Sequence, residues 1–235
     1  MIPISDINPA KNSPVISRIF MFITIGVFLL VQPKNQIDLI NFFYQYSAIP
    51  CELITFSPLS ESQFYSNDCL NNTTAPIFQN KNLVLSIVFA NFFHANFIHI
   101  LGNLWSFWIF GNNVEDKLGK VRFTIFIIFI GFLSIAVHIY LNQNSLTPIV
   151  GASGIVSGLM GAYVYMFPNA RLLVLVPFGF LFPTTIKAKF FMIFWFLSQI
   201  LISITDQNIS WEAHVGGFVF GYLLLRIINN KRYNV

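Results

Sequence analysis

Apolar residues gather along this chain into six long runs, at about 15–31, 97–110, 123–141, 149–167, 190–204 and 211–228. A helix crossing the hydrocarbon core needs roughly 17–25 predominantly apolar residues, so the runs predict six transmembrane helices. The second and fourth carry Gly, Ser, His and Asn, which places them inside the bundle. The first and third are more uniformly apolar and are expected against lipid. Between the first two runs lies a loop, 32–96, too long for a bare connection in a compact bundle. Its flanks, 37–43 and 83–93, are apolar enough to lie on or dip into the outer leaflet. The second flank is short and holds Asn91, so it reads as an interfacial segment rather than a seventh span. The expected fold is all-α. It is one domain over 1–235, a compact six-helix bundle with an N-terminal segment 1–14 and the external loop 32–96.

Composition agrees. Of the residues, 55% are hydrophobic and only 9% are charged, where soluble domains carry about a quarter charged. The bilayer is therefore an expected partner. The first run is too long for a signal-peptide core and no small-x-small site follows it, so no cleavable signal is expected. Orientation follows from charge. With the N-terminus inside, the cytoplasmic segments hold Lys11, Arg18, Lys117, Lys120, Arg122, Arg171, Lys187, Lys189, Arg226, Lys231 and Arg232, which is 11 of the 13 basic residues. The outside keeps Lys34 and Lys81 with Asp38, Glu52, Glu61, Asp68, Asp206 and Glu212. The positive-inside rule puts both termini in the cytoplasm, which an even number of spans requires. The net charge of +4 does not imply nucleic acid, because the basic residues flank membrane spans instead of forming a stripe interleaved with aromatics. Cys51 and Cys69 both fall in the external loop, where a disulfide can persist. A bridge between them and two unpaired thiols both remain open, because spacing does not show geometry.

This orientation aligns the polar residues. The second, fourth and sixth helices run inward, and His94, His99, Asn103, Ser153 and His214 lie near their starts. At about 1.5 Å per residue, Ser153, His214 and His99 share one layer within a turn or two of the outer surface. Polar groups at that depth are expensive and mark a functional site by default. His99 and Asn103 share a helix face. Gly154 with Gly158, and Gly217 with Gly221, form small-residue stripes that let membrane helices approach closely. The same packing would bring Ser153 to His214.

A serine hydroxyl needs a base to become a nucleophile, and His214 has the right proton affinity. Glu212 and Asp206 belong to the outer rim, so a dyad is expected instead of a triad. Attack on a carbonyl generates an oxyanion that requires preorganised donors. The Ser153 backbone N–H and the side chains of Asn103 and His99 are candidates. Gly151 allows a sharp bend just before the nucleophile. His94 and His99 stand five residues apart, roughly 140° around a helix, with no accompanying carboxylate pattern. Neither a metal nor another cofactor is expected, and His94 is read as structural, tying the loop to the helix start. His138, near the outer end of the third helix, has no evident partner and reads as an interfacial or satisfied histidine. Trp195 and Gln199 on the fifth helix read as lining a lateral access or as ordinary packing.

Together these motifs resemble the rhomboid intramembrane serine proteases, in their six-helix prokaryotic form. His94-x4-His99-x3-Asn103 looks like the family's second-helix motif, Gly151-Ala152-Ser153-Gly154 like its nucleophile motif, and Ala213-His214-x2-Gly217-x3-Gly221 like its last-helix motif. The stretch 110–119 is similar to its second cytoplasmic turn. Met1-Ile2-Pro3 and 167–171 are similar too. The resemblance implies Ser153 as nucleophile and His214 as general base, then acid. It implies His99, Asn103 and the Ser153 amide as the oxyanion hole, with Glu115 bracing the cytoplasmic turn. It further implies cleavage of transmembrane protein substrates near the outer face of the cell membrane, without cofactor. Two positions depart from the pattern. Phe89-Ala90 stands where some members carry Trp-Arg. Ser157 stands where some carry a tyrosine stacked on the histidine, so another group must orient His214. A catalytically silent binder of transmembrane helices would share the fold, although the intact Ser153 and His214 argue against it. A transporter would place its polar layer nearer the midplane between repeats. The pattern carries no signal for oligomeric state.

Overall fold

The computed structural model describes residues 1–8, 10–178, 180–205 and 209–228. Asp206, Lys231 and Arg232 lie outside the described residues. The chain is mostly helical, and a helix stands at each of the six apolar runs. α1 (Val15–Gly26) continues as a π-helical turn over Val27–Val31. α6 (Phe97–Leu118), α7 (Lys120–Leu141), α8 (Ser153–Met166), α9 (Ala188–Thr205) and α10 (Trp211–Ile228) account for the others. By length and composition, α7 and α10 are each apolar enough to cross a membrane. The outward faces of α1, α7, α9 and α10 carry exposed large apolar side chains, among them Phe22, Ile128, Ile204 and Ile227. Apolar surface on that scale is matched to lipid.

Two boundaries differ from the pattern reading. α6 runs eight residues past the end of its apolar run, because the polar residues there find partners. Glu115 accepts from the Ile16 and Ser17 amides, at 2.8 Å each, and from the Ser17 hydroxyl at 2.7 Å. Glu115 therefore caps the start of α1. Those amides are orphans of a helix N-terminus, where a carboxylate is favoured. The chain then reverses at Gly119, whose φ of +75° suits glycine. α8 begins late, at Ser153, because backbone bonds to the 32–96 segment hold the residues before it out of the helix. The Ile149 amide donates to Ala48 O at 2.8 Å and the Gly151 amide to Ala90 O at 2.8 Å.

The 32–96 excursion holds four short helices, α2 (Gln36–Tyr46), α3 (Pro50–Thr55), α4 (Glu61–Ser66) and α5 (Leu83–Ala90). Cys51 and Cys69 are bridged in it. A buried Glu52–Lys81 ion pair stands beside the bridge, and Lys81 also donates to Tyr44 O at 2.7 Å. Burial pushes the Glu52 carboxyl up and the Lys81 ammonium down, and their attraction opposes both shifts.

A small antiparallel sheet adds to the helical fold at the opposite end. β1 (Ile2–Asp6) pairs with β2 (Arg171–Phe178), and β2 pairs with β3 (Phe180–Lys187). Leu172 and Val174 are buried at alternate positions, the period of a strand. β1 is tied to the bundle by its side chains and carbonyls. Trp105 donates from its indole to Pro3 O at 2.8 Å, and the Asp6 carboxylate accepts from Asn113 and Tyr163. Burial pushes the Asp6 carboxyl up to about 6.

α8 is the centre of the bundle. Every residue from Gly154 to Tyr163 is buried, as expected of a helix covered on all sides. Its glycines meet those of α10. A Cβ at Gly217 would strike the Gly154 carbonyl, and one at Gly221 the Gly158 carbonyl. That contact sets how close Ser153 and His214 come.

Candidate active site

Ser153 is the first residue of α8, and two devices fix its approach. Gly151 has φ +123°, a conformation strained for residues with a Cβ. Such a Cβ would also lie 2.8 Å from the His99 ring. The Ala152 amide donates to His94 Nε2 at 3.4 Å. His94 is held in turn. Its Nδ1 donates to Phe92 O at 3.2 Å, and Gln32 brackets its backbone by accepting from the amide at 2.9 Å and donating to the carbonyl at 2.8 Å. With Nδ1–H committed, Nε2 is the acceptor. Burial pulls the ring's pKa down to about 3, keeping it neutral for that role. His94 thus ties the loop to the start of α8 as well as to α6.

From α10, His214 Nε2 reaches Ser153 Oγ at 2.8 Å. Its other ring nitrogen, Nδ1, lies 2.8 Å from Gln199 Oε1 on α9. Ser157 does not take part, because its hydroxyl donates back to Ser153 O at 2.7 Å. His99 and Asn103 come from α6, where Asn96 caps the helix by accepting from the His99 amide at 2.8 Å. The Asn103 Nδ2 is buried with no hydrogen-bond partner among the described residues. A buried unsatisfied donor costs about 1–3 kcal/mol and calls for a reason. These groups line one cavity of about 600 Å³ that includes His99, Asn103, Ser134, Gly151, Ser153 and His214. A comparably large cavity, about 580 Å³, lies between α8, α9 and α10. Its lining is mostly apolar and shares no residue with the first.

The structure brings together Ser153, His214, His99, Asn103 and Gly151, with Gly154, Gly217 and Gly221 behind them. Glu115, Cys51 and Cys69 stand apart and serve the fold. Sequence reasoning missed two contacts. Gln199 accepts from His214, and a lone amide in an apolar helix was the available signal. His138 does have a partner. Its Nδ1 meets Glu212 Oε2 at 3.1 Å, and Asn142 donates to Glu212 Oε1 at 3.1 Å. This cluster lines a polar cavity of about 370 Å³ that shares Pro148, Ile149, Ile209 and Ser210 with the site cavity.

Comparison with known proteins adds a family. The "Rhomboid domain" family description matches residues 81–231. "RHOMBOID-like protein 6, mitochondrial" of Arabidopsis thaliana is 28% identical over 59% of this chain and 41% of its own length. "Putative rhomboid protease YdcA" of Bacillus subtilis is 29% identical over 59% of this chain and 64% of its own. "Rhomboid protein 1, mitochondrial" of Saccharomyces cerevisiae is 28% identical over 59% and 40%. The matched region thus spans less than two thirds of each of these relatives.

Proposed function

Because the chain belongs to the rhomboid family and is accordingly a membrane protein, we propose that it is an intramembrane serine endopeptidase. The observation that carries this reading is the 2.8 Å contact between His214 Nε2 and Ser153 Oγ inside an apolar bundle. We read all six long helices as spans of the cell membrane with both termini cytoplasmic. The basic residues of the sheet end and of the α6–α7 turn support that reading. The site then opens toward the extracytoplasmic side.

In the reaction, His214 takes the Ser153 proton as Oγ attacks the carbonyl carbon of a peptide bond in a transmembrane substrate. The tetrahedral oxyanion forms at the N-terminus of α8, where the Ser153 amide points outward and the helix dipole favours negative charge. Asn103 Nδ2, unsatisfied in the resting site, supplies a second donor and the His99 imidazole a third. Collapse expels the amine, which receives the proton held by His214, and leaves an acyl-Ser153. Water, deprotonated by His214, attacks the acyl carbon and restores the serine. No step in this scheme uses a metal or cofactor.

The test is cleavage of a model transmembrane substrate by purified protein in detergent, beside Ser153→Ala and His214→Ala. Cleavage by the wild type alone is expected. Equal cleavage by Ser153→Ala would refute it, and binding without cleavage by any form would indicate a silent helix-binding protein.

A further inference from the structure

His214 can serve as base only in one tautomer, with the proton on Nδ1 and the lone pair on Nε2 facing Ser153. Something must choose that tautomer. The residue on α8 that could lie against the ring, Ser157, spends its hydroxyl on Ser153 O. Glu212, two residues before His214 on α10, is committed to His138 and Asn142. What does meet Nδ1 is Gln199 Oε1, at 2.8 Å, from a side chain only 4% exposed.

An amide can present either its oxygen or its nitrogen, so its orientation also has to be fixed. Ser198 fixes it. The Ser198 hydroxyl has one proton, donated to Trp195 O at 2.6 Å. Toward Gln199 its oxygen can therefore only accept, and Gln199 Nε2 lies 3.4 Å from it. That leaves Oε1 turned to His214. The chain of donors then runs one way: Ser153 O–H to His214 Nε2, His214 Nδ1–H to Gln199 Oε1, Gln199 N–H to Ser198 Oγ, and Ser198 O–H to Trp195 O. Reversing the amide would set a nitrogen donor against Nδ1 and force the proton onto Nε2. The ring would then have no lone pair to offer Ser153.

We propose that Gln199, held in one sense by Ser198, is the positioning residue that fixes the tautomer and aim of His214. The site is then a serine–histidine pair with a neutral amide in the third place. This rests on the protease reading for its consequences in catalysis, but not for its geometry. A neutral orienter selects the tautomer as a carboxylate would, yet lends no charge to the imidazolium formed during reaction. The charged or titratable groups that face the ring are His99 from α6, His138 from α7 and Glu212 from α10. All three are unchanged in the variants below.

The direct test uses the full chain in detergent with ¹⁵N-labelled histidine, reading the His214 ring nitrogens by NMR. Wild type should show Nδ1 protonated and Nε2 bare. Gln199→Leu should lose that preference, and Ser198→Ala should weaken it. In the cleavage assay, Gln199→Leu should lower kcat by roughly 10²–10⁴ with KM little changed, the range for loss of an aimed general base. Gln199→Glu can only accept at Nδ1, so it should keep the tautomer and retain kcat near the optimum. Its carboxylate favours the imidazolium, so the acidic limb of its kcat profile should move to higher pH. A purely structural Gln199 would move neither the tautomer nor that limb. An unchanged tautomer in Gln199→Leu overturns the proposal, whether or not the wild type cleaves anything. So does a wild-type pH profile in Gln199→Glu. Absence of cleavage by wild type with the tautomer behaving as described would overturn only the protease reading.

Discussion

Gly217→Ala isolates the packing that assembles the site. A methyl at Gly217 would fall well inside contact with the Gly154 carbonyl oxygen and 3.1 Å from its carbon. Carbon pairs rest at about 3.5–4.0 Å, so α8 and α10 must part by roughly 0.5–1 Å. Both atoms struck are backbone, and no side-chain rotation can absorb the strain. Gly217 is one turn from His214, and Gly154 follows Ser153. The separation therefore passes to the reacting pair and stretches its 2.8 Å contact to about 3.3–3.8 Å, at or past the long end of hydrogen-bond range. A 1 Å misplacement in a catalytic site lowers the rate on the order of 100-fold. The assay is kcat and KM for a model transmembrane substrate, with thermal unfolding measured alongside. The expected result is a kcat about 100-fold lower, a KM within a few-fold of wild type, and a folded protein. Gly26→Ala is the control, since a methyl there meets nothing within 4 Å. A wild-type kcat in folded Gly217→Ala would refute the reasoning.

Other expectations are more local. Asn103→Ala should lower kcat roughly 10–1000-fold if Nδ2 donates to the oxyanion, and an unchanged kcat would remove it from that role. Reducing the Cys51–Cys69 bridge, which closes an 18-residue separation, should destabilise the outer region by about 3 kcal/mol. Thermal unfolding with and without reductant reads this, and coincident curves would refute it. The anchoring of β1 by Asp6 should depend on pH. Its carboxyl titrates at about 6 when folded against 3.8 unfolded, so the folded state binds the extra proton. Anchoring is strongest below pH 3.8 and weakens as pH rises through 6. Hydrogen exchange at residues 2–6, corrected for intrinsic rates, should show this loss in wild type and not in Asp6→Asn.

Much of the site could be read from the chain because its signals are local. Polar side chains in apolar runs marked Ser153, His214, His99 and Asn103, and the glycine spacings marked the α8–α10 contact. The helices were legible for the same reason, although their ends were not. α6 continues through 111–118 because Glu115 and Asn113 find partners on α1 and β1, which are distant in sequence. The β2–β3 hairpin was hidden by an unbroken apolar stretch, in which strand alternation cannot be told from a greasy connection. The contact of Gln199 with His214 crosses 15 residues between two helices. Nothing in the local pattern says which way α9 turns its amide.

The most direct test of the central claim is chemical labelling of the serine. A fluorophosphonate reacts only with an activated hydroxyl, and intact mass with peptide mapping locates the adduct. One adduct is expected on Ser153 in wild type, none in Ser153→Ala, and labelling slowed by roughly 10²–10⁴ in His214→Ala. Folded wild-type protein that takes no label on Ser153, or His214→Ala that labels at the wild-type rate, would contradict it.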